Sequence, residues 1–567
     1  MRRAHAMPFG AELGAGGVRF RLWAPAQDRI AVEVDGSRHA MNPLEDGWHE
    51  LLLPDARAGA RYRYLLENGL AVPDPASRAN PADVHAASEV VDPLAYVWQE
   101  AAWRGRPWHE AVLYELHVGT FTPEGTFAAA RARLPELAAL GVTALELMPV
   151  ADFPGARNWG YDGVLPFAPD ASYGAPVELK ALVDAAHGSG LMVLLDVVYN
   201  HFGPEGNYLH ALCPQFFDAS RHTPWGAAID FGRRTVRDFF VHNALYWVEE
   251  YGFDGLRLDA VHAIRDDSPE HIVCEIGRAL AAGPGRERRV HLVLENDRNE
   301  AHYLGRCASA QWNDDLHHAA HVLLTGEQDG YYADYAERPL ERLGRALAEG
   351  FVYQGEPSRF RGGAPRGEPS AHLPPTAFVS FLQTHDQVGN RALGERLDAL
   401  AEPHAVGALT ACVLLAPQVP MLFMGEEYGA RTPFRFFCDF GPELAAAVTR
   451  GRRAEFERFA AFTGEIPDPN DRESFLASKL DRKAGDSERA ALVRHLLSLR
   501  NERLVPRLAG ARSGTFEASH DALRVTWPLG DGTRWHMHLR LEGGVSAPPG
   551  EPIYRSDAVC VALEPAA

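Results

Sequence analysis

From Val18 to about Val91 apolar and polar residues alternate in short runs, VRFRLWAP, RIAVEV and RYRYLLE, punctuated by Gly, Asp and Pro. A period of two buries one face of each strand, so this stretch predicts an antiparallel β-sandwich. A Pro- and Trp-rich linker follows, and after Pro107 the grammar changes. Short, uniformly apolar runs now alternate with amphipathic segments such as TFAAARARLPELAALG. That is the pattern of strands buried on both faces in a parallel sheet. The runs are AVLYELHVG, VTALELMPV, LMVLLDVVY, FDGLRLDAV, HLVLEND, ASAQWNDD, AFVSFLQTHD and VPMLFMGEE. Eight parallel strands joined through helices predict an α/β fold, a closed (β/α)8 TIM barrel. The stretch from Asp329 to Pro375, with RFRGGAPRGEPSAHLPP, exceeds what a barrel crossover needs and is expected to overhang the barrel mouth. From Glu488 a helix, ALVRHLLSLRNERL, leads into the β-like runs ALRVTWPL and RWHMHLRL. The expected organisation is an N-terminal β-sandwich over 1–95, a linker over 96–110, the barrel over 111–487 and a small C-terminal β-domain over 488–567.

Composition narrows the function. A chain of 567 residues is too long for one core, which agrees with several domains. No apolar run approaches the roughly 20 residues of a spanning helix, so no membrane partner is expected. The opening MRRAHAMPFG has two arginines but no apolar stretch behind them, which favours the cytoplasm. Six scattered cysteines without a CxxC pair argue against a zinc site and against disulfides, and are expected to be reduced. A formal charge of −20 repels nucleic acid and anionic lipid and suits a neutral substrate such as a sugar.

The chemistry should sit where barrel strands end. The third run ends LLDVVYNH, the fourth GLRLDAVH, the fifth VLEND and the seventh FLQTHD, which sets Asp196, Asp259, Glu295 and Asp386 on one face. One Asp at a strand end reads first as a helix cap or loop hydrogen bond. Four carboxylates in barrel register read as a site. Glycoside cleavage requires such a cluster, because one carboxyl protonates the leaving oxygen and another attacks or stabilises the oxocarbenium-like centre. Arg257 lies two residues before Asp259 on a strand, so both point the same way and the guanidinium keeps Asp259 ionised. The apolar run VHLVL before Glu295 is expected to raise its pKa, as a general acid needs. His201 and His385, close to such carboxylates, either bind sugar hydroxyls or are structural. Tyr161 offers a flat face to a pyranose ring or packs its loop. No phosphate loop or dinucleotide fingerprint is present, so no organic cofactor is expected. Phe202 to Phe231 lacks an oxygen-rich ligand loop near Asn200, so no metal is expected either.

DVVYNH, GLRLDAVH, LEND and QTHD, in that order, resemble the motifs of the alpha-amylase family of glycoside hydrolases. The resemblance implies a retaining mechanism, with Asp259 as nucleophile, Glu295 as acid/base and Asp386 as the stabilising carboxylate. It places Arg257, His201, His385, Tyr161 and Asp162 around the glucose on the bond side. RNWGYDGVLPFAPDASYG, LRLDAVHAI, QWNDDLHHAAHVLLTGE, FVYQGEPSRFRGG and QTHDQVGNRALGERL are further similar to the malto-oligosyltrehalose trehalohydrolases, over roughly residues 8 to 500. That branch implies hydrolysis of the α-1,4 bond beside a terminal trehalose, and functional pairing with an enzyme that forms malto-oligosyltrehalose. Where commoner amylases carry a Lys-His pair after the nucleophile, this chain has His262 and Ala263, which implies an altered leaving-group pocket. Asp314, Asp315, His317 and His318 match the branch's pattern and either line that pocket or form a buried polar network. Gln387 and Asn390 follow Asp386 in the same motif. A glycan branching enzyme shares the sandwich, barrel and triad, and a non-catalytic glycan-binding barrel shares the fold.

Overall fold

The computed structural model describes residues 3–223, 225–456 and 466–566. The eight apolar runs form the eight strands of a closed parallel barrel: β1 (Leu113–Leu116), β2 (Ala144–Leu147), β3 (Met192–Val197), β4 (Gly255–Leu258), β5 (His291–Leu294), β6 (Ala310–Trp312), β7 (Phe378–Ser380) and β8 (Val419–Phe423). β1 pairs with β2 on one side and with β8 on the other, which closes the ring. Every residue of β1, β2, β4 and β5 is buried, because helices cover the outside and side chains fill the inside. At Gly255 a Cβ would meet the His291 carbonyl oxygen at 2.4 Å, so a side chain there would force β4 off β5.

Helix Arg234–Glu250 joins β3 to β4, and helix Ile272–Ala282 joins β4 to β5. Between β5 and β6 the described elements include only a 3-10 turn, Ala301–Tyr303. Here one expectation is overturned. Cys274, on helix Ile272–Ala282, is disulfide-bonded to Cys307, with 4.7 Å between their Cα atoms. Gly277 brings this helix onto the Cys307 backbone, where a Cβ would fall 2.3 Å from its carbonyl oxygen. Cysteine spacing along the chain does not carry such a long-range approach. Cys213, Cys412, Cys438 and Cys560 are free and buried.

At the N-terminus two antiparallel sheets face each other. Gly10–Gly14, Gly17–Trp23, Trp48–Leu53 and Asn42–Pro43 make one, and Ala31–Val34 and Arg61–Leu65 are central in the other. Phe20 and Tyr62 meet between them, with ring centroids 5.0 Å apart. Phe9 packs edge-on against Phe239 at 5.4 Å, which seats the sandwich on the barrel helix Arg234–Glu250. The C-terminal sheet has five strands between Thr515 and Glu564. The helix read as leading into it, Ser487–Leu499, packs on helix Pro403–Leu415. Arg489 donates to Thr410 Oγ1 at 2.8 Å, and Arg500 to the Leu414, Ala416 and Gln418 carbonyls. This helix therefore covers the barrel. Among the described residues no helix is long and apolar enough to cross a membrane.

The stretch 329–375 contains helix Pro339–Glu349, so it is partly regular structure rather than one long loop. The remainder hangs on Asp315. This carboxylate is fully buried, and its Oδ2 accepts from Val352 N at 2.6 Å, Tyr353 N at 3.0 Å and Asn299 Nδ2 at 2.9 Å. Tyr335 and Arg366 engage Oδ1.

Candidate active site

Barrel strands bring one cation among three carboxyl groups. Arg257, third residue of β4, is buried inside the barrel with its guanidinium carbon 4.1 Å from the centroid of Trp312 on β6. Its NH1 lies 2.7 Å from Asp196 Oδ2 and 3.0 Å from Asp259 Oδ1, and its NH2 lies 3.1 Å from Glu295 Oε2. The sequence expectation assigned Arg257 to Asp259 alone; the fork also serves Asp196 on β3 and Glu295, which leaves the neighbouring strand at the same height as Asp259.

Local backbone completes the arrangement. Asn200 donates through Nδ2 to Asp259 Oδ2 at 2.7 Å and to its carbonyl at 2.9 Å. The second carboxylate oxygen of Asp259 is thus held by an amide from the loop that follows β3. Ala260 has φ 40°, left-handed for a residue with a Cβ, and turns its N–H onto Glu295 Oε2 at 2.7 Å. Such a conformation costs about 1–2 kcal/mol and persists only where the surroundings enforce it.

Asp386 lies in the first turn of helix His385–Gly389, capped by Thr384. Asn390 donates to Asp386 Oδ1 at 2.7 Å. Gln387 accepts from Thr384 N and Oγ1 at 3.1 and 2.6 Å and reaches Asp314 Oδ1 at 3.4 Å. Tyr161 donates to Asp196 Oδ2 at 2.6 Å and stacks on His385, centroids 5.1 Å apart. Burial pushes the carboxyls up: Glu295 is raised although Arg257 opposes the shift, Asp386 is raised, and Asp196 is pushed up to about 7.

Other expected residues take different places. Asp162 is half-buried, accepts from Asn158 at 2.7 Å, and is raised by burial. His201, read as a possible sugar ligand, has Nε2 3.0 Å from the Tyr161 carbonyl and Nδ1 against Asn200 Oδ1. Burial lowers it to about 4, and Trp225 covers its ring at 4.4 Å, so it braces Asn200 and Tyr161. His262 is half-buried and accepts at Nδ1 from Asp297 N at 3.4 Å.

Asp315, His317 and His318 are not among the groups around Arg257. Asp315 instead anchors the 329–375 segment through Val352, Tyr353, Tyr335 and Arg366. His317 bonds the Leu382 carbonyl at 2.6 Å and Tyr332 OH at 3.2 Å, and burial lowers it to about 3. His318 is enclosed by Tyr331 and Tyr335, ring centroids 4.6 and 5.0 Å away, and burial lowers it well below the usual histidine range. Helical rotation explains the division: Asp314, one residue earlier, is only half-buried and is raised by burial and by the charges of Glu295 and Asp386.

The sequence reading assigned no site role to Glu115, Asn200, Trp225 or Trp312. Two of them left a signal: Glu115 is an acidic residue inside the apolar run AVLYELHVG, and Asn200 stands in DVVYNH at the end of the third run.

The alpha-amylase catalytic-domain family model matches residues 115–222. A malto-oligosyltrehalose trehalohydrolase from Deinococcus radiodurans is 43% identical over 538 residues, covering 92% of this chain and 88% of that protein. One from Saccharolobus solfataricus is 40% identical over 507 residues, 88% of this chain and 87% of that protein. A 1.4 Å crystal structure of a candidate alpha amylase from Salmonella typhimurium superposes with a TM-score of 0.95 at 45% identity, covering 99% of this chain and 100% of that one. The chain belongs to the malto-oligosyltrehalose trehalohydrolase family of alpha-amylase-type glycoside hydrolases.

Proposed function

We propose that this enzyme hydrolyses the α-1,4 bond beside the terminal trehalose of malto-oligosyltrehalose, releasing trehalose and a malto-oligosaccharide with retention. The observation that carries the reading is the single Arg257 guanidinium bound to Asp259 and Glu295 at the mouth of the barrel. Asp259 attacks C1 of the bond-side glucose while the C1–O bond to trehalose breaks, and Glu295 delivers its proton to the departing oxygen. Water, deprotonated by Glu295, then releases the sugar from Asp259. Asp386, held by Asn390, accepts hydrogen bonds from the ring hydroxyls as positive charge develops at C1.

Incubation with maltotriosyltrehalose should release free trehalose, and NMR of the fresh product should show the α-anomer first. Branched glucan formed from amylose would instead support a branching enzyme, and no turnover of either would support a glycan-binding barrel. The substrate's α,α-1,1 linkage requires an enzyme that forms malto-oligosyltrehalose upstream. We place both in the cytoplasm, which cell fractionation tests.

Two further outcomes are expected. The raised pKa of Glu295 keeps its proton above the ordinary value of 4.5, so kcat/KM should persist past that pH and fall on the alkaline side as the acid is lost. Glu295→Gln should lose turnover of maltotriosyltrehalose but still release fluoride from α-maltosyl fluoride in a burst, since fluoride leaves without a proton. Absence of that burst would remove Glu295 from the acid's role.

The second outcome concerns the leaving-group side. A His262→Lys, Ala263→His double variant puts a long cation and a ring where a half-buried histidine and a buried methyl now stand. The preference for maltotriosyltrehalose over maltopentaose should fall roughly 10- to 200-fold in kcat/KM. An unchanged ratio would separate specificity from these two positions.

A further inference from the structure

Inside the barrel, below the residues assigned to catalysis, an acidic side chain reaches up to the histidine that precedes one of them, Asp386. Glu115, third residue of β1, is only 1% exposed. Its Oε2 accepts the backbone N–H of His385 at 3.0 Å, and its Oε1 contacts His385 Nδ1. A carboxylate that takes both the main-chain and the ring donor of one residue fixes where the ring sits and which nitrogen faces it. Tyr161 stacks on that ring from one side, and Trp159 meets it edge-on at 5.5 Å. No hydrogen-bond partner for the other ring nitrogen, Nε2, appears among the described residues.

We infer that Glu115 is a positioning residue for the bond-side glucose, clamping His385 as an imidazolium whose Nε2–H is presented to a sugar hydroxyl beside Asp386. The inference rests on the proposed site and adds to it the charge state of one sugar-binding group and the residue that sets it.

The electrostatics agree with the geometry. Burial alone would discharge His385, yet the pKa of its ring is raised, because Glu115 and then Asp386 supply negative charge against Arg257. Asp196 on β3 faces the same ring and His117, two residues past Glu115, opposes its charge weakly. An imidazolium donates a charge-assisted bond, about twice as strong as a neutral one. Placed at a hydroxyl of the reacting ring, it tightens as Asp386 and the sugar polarise each other in the transition state.

The test separates this inference from the functional reading. Glu115→Gln keeps the shape and an oxygen for the His385 N–H but removes the charge. Histidine ring NMR of the free wild-type protein should show His385 charged above pH 6.5. In Glu115→Gln it should titrate below that value, while the thermal midpoint stays close to wild type. With maltotriosyltrehalose, kcat should fall roughly 10- to 100-fold with little change in KM, and Glu115→Asp should recover part of the loss.

If His385 titrates identically in wild type and Glu115→Gln, the inference is overturned whatever the enzyme's activity. A kcat equal to wild type with a shifted titration overturns it as well. If wild type turns over no trehalose-ended substrate, the functional reading fails while the titration still reports on the clamp. Should Glu115→Gln not fold, wild-type titration alone decides, and a His385 neutral at pH 7 overturns the inference.

Discussion

Asn in place of Asp259 is expected to lower kcat on the order of 10^4-fold or more while leaving the fold intact. The amide cannot form the glycosyl ester, so the loss falls on the chemical step. The variant should still fold, with a moderate loss of stability that follows from the geometry. Oδ1 faces the Arg257 guanidinium and Oδ2 faces the Asn200 amide, so both neighbours are donors. An asparagine oxygen can satisfy one of them and its NH2 leaves the other unpaired, at about 1–3 kcal/mol. Circular dichroism should therefore overlay wild type, and the variant should still bind maltotriosyltrehalose by calorimetry. Turnover like that of wild type would contradict the assigned role.

Arg257→Met is expected to produce the largest loss of stability. The wild-type cation is about 1% exposed and compensates Asp196, Asp259 and Glu295 together. Removing one member of a buried ionic group leaves the others uncompensated and costs about 3–5 kcal/mol. The sign of its pH dependence follows from Asp196. Its folded pKa, about 7, lies above the ordinary 3.8, so the native state holds this proton more tightly than the unfolded chain and loses stability as pH rises from about 4 to 7. Without Arg257 the carboxyls should rise further, so the variant's deficit should be larger at pH 7 than at pH 5. Urea midpoints at both pH values check this, and an equal deficit would mean that packing against Trp312, not charge, carries the effect. Arg257→Lys should recover part of the stability but little activity, because one ammonium cannot span the positions the two guanidinium nitrogens occupy.

The sequence revealed the barrel strands because a strand buried on both faces must be apolar throughout, and helices between such runs leave few topologies. It revealed Asp259, Glu295 and Asp386 because a polar residue ending an apolar strand stands out. It was less informative behind the strands. Asp314 and Asp315 are adjacent in one polar cluster, QWNDDLHHAAH, and nothing in that string tells which carboxylate turns toward Glu295 and which anchors the Val352 and Tyr353 amides. The Cys274–Cys307 bond was hidden for a related reason, since a pair 33 residues apart gives no local pattern.

By itself the sequence determined the α/β barrel, the terminal β-domains and the acidic residues at the strand ends, because these follow from hydrophobic period and strand direction, which are local. Only the tertiary structure decided that Arg257 serves both Asp259 and Glu295, that Ala260 aims its amide at Glu295, and that Glu115 faces His385. Those relations depend on the height at which separate strands end and on how side chains rotate into a shared interior. Distances set across the barrel leave no periodic trace along the chain.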